Sequence, residues 1–525
     1  MIYGRSWLLS LTPIHAQSDV KMCRLCGLFR SMRGVRGDCS GGIAVVKPDS
    51  GNERLGPYRL RSIFLAALYV LIGGSAIVTV HAQESESTSG NLREPKGPLS
   101  AMEQREFDQS EGESLFKDEG EFEVPLRAMY KDGFGIRSAD DQFQLRMRFL
   151  TQIDGKIFTP TDHEPARSGM YIPRFRTYFE GQLRDGLEYE LSLQRSVEGA
   201  FDLLDANVNL GANEALQVRI GRSLTPYSYS WYDHLEQFYV TPERGLVSLN
   251  FGLARQVGVI AHGVINEKLE YAAGPTFGHL AGLADQNSTR EGVGYVNYRP
   301  FVDATNDTFL KYLNIGGSIA LGRTAYATTP LPLRTSIQTS ENDEAAQAAS
   351  TQFLEFNPGV VWDGGRQQGA LHIANYAGPI SLEAEVYALS FQARQNVATS
   401  AVWLPVVGFD VTAAMFLTGE QVTGRGIVEP LAPIGNGPGA IEVFGRYSNI
   451  NISDKVFAAG LADEADWTRR VGMTDIGFNW YLNRFVKFTF DWQHAMFATP
   501  ILLNEATNRH GSSTDLFWMR CQLYF

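Results

Sequence analysis

Long apolar runs are almost missing from these 525 residues: apart from Ser62–Val80, no stretch of about 20 apolar residues could cross a bilayer as a helix. A helical multi-span protein is excluded. Cysteine is scarce as well, at Cys23, Cys26, Cys39 and Cys521. The Cys23–Cys26 pair has the spacing of a metal or redox site, but no second pair follows at zinc-site distance, so no metal centre is expected. Positive charge is in deficit, with 46 Lys and Arg against 58 Asp and Glu, a net charge of −12. Without a basic face to displace counterions there is no bulk affinity for nucleic acid, so any handling of anions must be local. Catalytic signatures are also missing: there is no Gly-x-Ser-x-Gly, no glycine-rich phosphate loop ending in Lys-Ser/Thr and no His-Glu-x-x-His, and the nine histidines are scattered. Neither an enzyme nor a cofactor is expected.

What the chain does hold is 52 Gly, 31 Phe and 21 Tyr within a moderate 44% of hydrophobic residues. That texture arises when alternate residues face lipid and water. The length exceeds the roughly 250–300 residues at which a single packed core stops growing. A membrane barrel escapes the limit because its strands need no packed interior.

Three regions follow from composition. Residues 1–82 hold an N-terminal extension and a signal peptide: Arg59-Leu60-Arg61, the apolar Ser62–Val80, then small residues leading to expected cleavage after Ala82. The competing reading is an uncleaved membrane anchor, and Gly73, Gly74, Ser75 and Ala76 favour cleavage. The stretch before Arg59 is far too long for an n-region, and an upstream start codon chosen in error is the simplest explanation. Residues 83–130, rich in Glu, Ser, Gly and Asp as at Glu111–Ser114, read as an acidic disordered linker. Residues 131–525 read as the barrel.

There the apolar period is two. Phe143, Leu145, Met147 and Phe149 share one face while Gln144, Arg146 and Arg148 share the other, and Arg174–Glu180 and Leu187–Gln194 repeat the arrangement. Gly477–Leu482, the pair Asn483-Arg484 and Phe485–Trp492 read as a hairpin. A soluble β-sandwich would show the same alternation, but the last strand ends on Phe525, with Phe517, Met519, Cys521 and Leu523 on its face. About 400 residues at roughly 25 per strand with its loop give about 16 strands. The fold class is therefore all-β, a transmembrane antiparallel barrel with an aqueous lumen, in contact with outer-membrane lipids.

Five segments in this order resemble the phosphate-selective porin O/P family: Ile172–Arg176, Val218–Arg222, Leu417–Glu420, Glu442–Ser448 and Gly477–Asn483. The resemblance covers about Gly133 to Phe525. It implies a trimer of 16-stranded barrels in the outer membrane, with a basic lumen guiding phosphate or related small anions. The terminal Phe525 resembles the signal read by the outer-membrane insertion machinery.

Arginine suits an anion path because it stays charged and its planar fork meets two oxygens at once. Candidates on the polar side of strands or at their ends are Arg146, Arg148, Arg174, Arg176, Arg219, Arg222, Arg255, Arg446, Lys487 and Arg520. The alternative is that they pair with inward carboxylates in a generic wet lining. The long aromatic stretch Ser223–Asn250 is expected to fold inward in part as a constriction, or else to form an outer or trimer-contact loop; His234 within it could titrate. A channel of general or sugar preference, and an enzymatic or structural barrel, are the other readings, separated from the first by conductance and reversal potential.

Overall fold

The computed structural model describes residues 125–525 except 131, 197–200, 278–289, 305–307 and 338–343. The expected extension, signal peptide and cleavage point, and the linker up to residue 124, lie outside the described residues. A short hairpin, β1 (Leu126–Tyr130) and β2 (Phe134–Ser138), opens the described chain. The expected linker boundary at residue 130 is thus corrected: Leu126–Tyr130 is a strand, because its five residues pair fully with Phe134–Ser138.

Sixteen strands form the wall. They are β3 (Gln144–Thr159), β4 (Gly169–Arg184), β5 (Leu187–Ser196), β6 (Asp202–Asn213), β7 (Leu216–Leu224), β8 (Arg255–Ile265), β9 (Leu269–Phe277), β10 (Arg290–Tyr298) and β11 (Tyr312–Thr328). A two-stranded hairpin, β12 (Leu333–Arg334) with β13 (Gln352–Leu354), stands apart from the wall. The wall resumes with β14 (Val361–Ala377), β15 (Ile380–Arg394), β16 (Val402–Phe416), β17 (Ala440–Ile452), β18 (Arg470–Tyr481), β19 (Val486–Asn504) and β20 (Arg509–Tyr524). Each is antiparallel to the next, and β20 returns to β3 from Asp515↔Thr159 to Tyr524↔Leu150. That seam closes the barrel and leaves its wall without a free edge. The β1–β2 hairpin joins the first residues of β3, on the side that β20 covers further along.

The period-two pattern sets the faces. Along β3, Arg148, Leu150, Gln152, Asp154, Lys156 and Phe158 are buried inside, while Ile153 and Ile157 stand exposed outside. On β20, Trp518, Arg520, Gln522 and Tyr524 point inward and Phe517, Met519 and Leu523 outward. Exposed Leu191, Val208, Ile220, Val259, Val407 and Phe409 continue the apolar outer surface, as a lipid-facing wall requires. Most connections at the end where the termini lie are tight turns. At Asp185-Gly186 the glycine adopts φ +75°, and a Cβ there would meet Gly211 O at 2.9 Å, so the two-residue turn suits glycine.

The interior departs from the expectation of an unpacked lumen. The connection from β7 to β8, residues 225–254, lies inside the barrel with nearly every side chain buried; it carries helices α1 (Tyr229–Tyr232) and α2 (Leu246–Phe251). Its Tyr227, Leu246, Val247 and Leu253 pack with Leu333, Phe353 and Leu354 of the β12–β13 hairpin and with inward Ile260, Leu389, Leu404 and Ile450 of the wall. Val247 presses so closely on Gly408 of β16 that a Cβ there would lie 2.4 Å from its Cγ2. One side of the lumen is therefore a dry core, and the polar path is left to the other side and to the gap beneath the inner segment.

Candidate functional site

The inner segment is held by charges it brings into the lumen. Glu243 receives a two-pronged bond from Arg174 of β4, at 2.6 and 2.7 Å, and a third from Arg520 Nη2 of β20 at 3.0 Å. Burial alone would raise the Glu243 carboxyl, but the two guanidiniums outweigh it and hold it at about 2. Glu236 accepts from Arg176 Nη1 at 3.0 Å, with Arg244 Nη2 at 3.7 Å and Arg255 Nη1 at 3.8 Å. Desolvation is again overridden, here by Arg176, Arg244, Arg255 and Arg174, so Glu236 stays ionised well below the usual range.

On the opposite wall the polarity of the contacts reverses. Glu385 of β15 accepts the Tyr229 and Ser230 backbone N–H groups at 2.8 and 3.1 Å and the Ser228 hydroxyl at 3.0 Å. Back on the side of β20 the wall donates again, Asn479 of β18 to Val240 O at 2.8 Å and Lys487 Nζ of β19 to Tyr239 O at 3.0 Å. The segment thus spans the lumen. Asp233 and His234, at its turn, are both neutral at pH 7: burial and then Glu270 push the Asp233 carboxyl up to about 8, and burial lowers the His234 imidazole to about 4 against the pull of Glu383.

Of the ten sequence candidates, Arg146, Arg148, Arg174, Arg176, Arg219, Arg446, Lys487 and Arg520 lie on the inward face, and Arg255, at the first residue of its strand, turns in to Asp205 at 3.0 Å. Most are matched with acids. Arg148 binds Glu180, Arg146 stands 3.7 Å from the same carboxylate, Arg446 Nε donates to Asp475 at 2.9 Å, and Arg520 Nε to Asp154 at 2.7 Å. Arg219 faces inward opposite Asn209 and Ile260. Arg222 is a correction. It pairs with Ala206 and with Val257, an exposed outer residue, and its Nε donates to Leu204 O at 3.0 Å. Side chains three apart on one strand leave it toward opposite faces, so Arg222 leaves β7 on the side of Val257 while Arg219 faces inward.

Four charged residues that the pattern did not single out also belong here. Lys156 continues the inward parity of Arg146 and Arg148, donates to Ala349 O at 2.7 Å and lies 3.9 Å over the Trp518 ring; that parity was a usable signal. Glu236 and Glu243 sit in an irregular segment with no period to read. Arg425 comes from the connection between β16 and β17 and donates to Glu383 at 2.9 Å and Glu442 at 2.8 Å. The same connection sends Ile427 against the cluster of Leu235 and Phe238, so it enters the barrel from the end where the termini lie.

A closed sixteen-stranded barrel with an apolar outside, a charged lumen and a segment folded across it is an outer-membrane porin. The chain belongs to the phosphate-selective porin O and P family, whose model matches residues 143–525. No curated protein matches it. Among solved structures it is similar to OmpT of Vibrio cholerae in its trimer form, with 9% identity, 73% of this chain and 100% of that chain covered and a TM-score of 0.47. It is also similar to the anion-selective porin from Comamonas acidovorans, with 13% identity, 73% and 100% covered and a TM-score of 0.43. A third is the outer membrane channel DcaP of Acinetobacter baumannii, with 9% identity, 75% and 100% covered and a TM-score of 0.42.

Proposed function

We propose that this porin passes small anions, phosphate among them, with Arg146, Arg148, Arg174, Arg176, Arg219, Arg255, Arg446, Lys487 and Arg520 as its inward cations. The observation that carries the reading is the convergence of Arg176, Arg244 and Arg255, at 3.0, 3.7 and 3.8 Å, on the single carboxylate of Glu236, a site where positive charge is crowded and fixed. The chain is exported by its signal segment, with cleavage after Ala82, is inserted through recognition of Phe525, and works as a homotrimer. A second reading is a porin without ionic preference, favoured by the carboxylates that neutralise Arg146, Arg148, Arg446 and Arg520.

The test is the reversal potential of the purified protein in a planar bilayer under a salt gradient, with phosphate competing against chloride. Anion selectivity with chloride current reduced by phosphate supports the first reading, and cation selectivity or none supports the second. In the first case Arg174→Ala and Arg176→Ala lower the anion preference; unchanged selectivity removes both from the path.

A further inference from the structure

Beneath the inner segment, against β15 and β16, lies a cavity with about 50 Å³ of room for the centres of water-sized molecules, several times the ~10–15 Å³ that one water needs. Its lining includes Arg244 of the inner segment and, on the wall, Glu385 of β15, Asp410 of β16 and Arg446 of β17. Two buried polar atoms of opposite sign on these lining side chains make no hydrogen bond among the described residues: Nη2 of Arg244 and Oδ1 of Asp410. Both side chains are more than nine-tenths buried.

Arg244 is fixed in place. Its guanidinium lies 3.5 Å from the Trp231 ring centre and 4.7 Å from that of Tyr239, and its Nε donates to Ser230 O at 3.3 Å. The nearest acid to Nη2 is Glu236 Oε1 at 3.7 Å, beyond hydrogen-bond reach. Asp410 is fixed as well, because Gly245 approaches so closely that a Cβ there would meet Asp410 Oδ1 at 2.0 Å. The Tyr387 hydroxyl lies 2.8 Å from Glu385 and 3.3 Å from Asp410, yet it has one proton to give. Glu385 is already met by the Ser228, Tyr229 and Ser230 donors, so Asp410 is the acid left short, and it has no ion-pair partner within 4.0 Å among the described residues, Arg446 being engaged by Asp475. One side of the cavity lacks an acceptor and the other lacks a cation.

We infer that this cavity is a binding site for small zwitterions, compounds that carry a carboxylate and an ammonium group a few bonds apart, as an α-amino acid does. The carboxylate bonds to Arg244 Nη2 and the ammonium to Asp410, with Glu385 beside it. This rests on the channel reading above and adds a solute class to it. A solute with one charge satisfies one side and leaves the other with an unpaired buried group, and a site built for hydrogen bonds rejects a partner lacking them by large factors.

The test is permeation into liposomes carrying the full-length protein, with glycine and the smaller singly charged ions acetate and methylammonium as probes, together with block of single-channel chloride current by glycine. The expected result is glycine entry at least tenfold faster than entry of either singly charged probe. Glycine block should be lost in both Arg244→Gln and Asp410→Asn, and in Asp410→Asn the chloride conductance should persist. Acetate entering as fast as glycine reduces the site to an anion site and overturns the inference, as methylammonium doing so reduces it to a cation site. Block that survives both substitutions also overturns it. A protein that conducts no ion at all defeats the channel reading instead, and Arg244→Lys, which keeps the charge and should keep part of the block, distinguishes a lost site from a misfolded barrel.

Discussion

At the scale of single residues the lumen is governed by which acids neutralise which arginines. Glu243 joins Arg174 and Arg520, two strands that flank the closing seam. Replacing it by Gln keeps the shape and leaves the Arg174 guanidinium buried without its counter-charge, while Arg520 keeps Asp154, a change worth ~3–5 kcal/mol in comparable buried pairs. Glu243→Gln should therefore loosen the inner segment and raise single-channel conductance with added current noise; a trace indistinguishable from the parent would refute the clamp. The pH dependence follows from the same groups. Glu243 has its pKa lowered from 4.5 to about 2, so its share of docking is complete above about 4.5 and is lost as pH falls towards 2. Asp233 is shifted the other way, from 3.8 to about 8, so the docked segment holds a proton that the free segment would release; docking weakens as pH rises from 3.8 to 8. Above pH 8 the ionised Asp233 adds a negative charge to the lumen. The anion-to-cation permeability ratio should therefore fall between pH 7 and 9, and Asp233→Asn should make that slope shallower; a slope preserved in the variant would assign it elsewhere.

At the scale of elements the inner segment crosses the lumen from β4 and β20 to β15. Replacing residues 229–249 by a short Gly-Ser linker should raise conductance several-fold while the barrel still forms, because the sixteen wall strands bond to one another and not through it. Conductance unchanged by the replacement would show that the narrowest point lies elsewhere, with the connection carrying Arg425 as the next candidate. The elements also show what could be read beforehand. The inward parity of Arg146, Arg148, Arg174, Arg176 and Arg520 was legible because a two-residue period survives in each strand. The inward course of Ser223–Asn250 was expected from its length and aromatic content alone. Its partners were not legible: Arg520 lies 277 residues from Glu243, and no local pattern encodes a contact across a closed barrel. The dry core was missed although it left a trace. In β16 both faces are apolar, Leu404 and Val406 inside and Val407 and Phe409 outside, which is how a strand buried on both sides reads. Arg222 was misplaced because a cation near a strand end was credited without checking its parity against Arg219.

At the scale of the whole molecule the barrel depends on its seam. Phe149 and Phe525 exchange N–H···O bonds of 2.8 and 3.1 Å at the end of β3 and β20, and their rings lie 5.4 Å apart. Removing Phe525 takes away both bonds and the aromatic contact, and with them the residue proposed to guide insertion. The expected outcome is a smaller fraction of folded barrel in outer membranes, read as the heat-modifiable band on unboiled gels; an undiminished band would separate Phe525 from both roles.

The inner segment also has a mechanical consequence. It is anchored to β4 and β20 through Glu243, to β15 through Glu385 and to β18 through Asn479, so it runs across the barrel as a strut runs across a hoop. A hoop of hydrogen-bonded staves flattens easily under sideways load, whereas a braced one keeps its cross-section round. Severing the strut should soften the barrel against lateral compression without breaking a single bond between neighbouring staves, so that bilayer tension would alter the current only in the severed form.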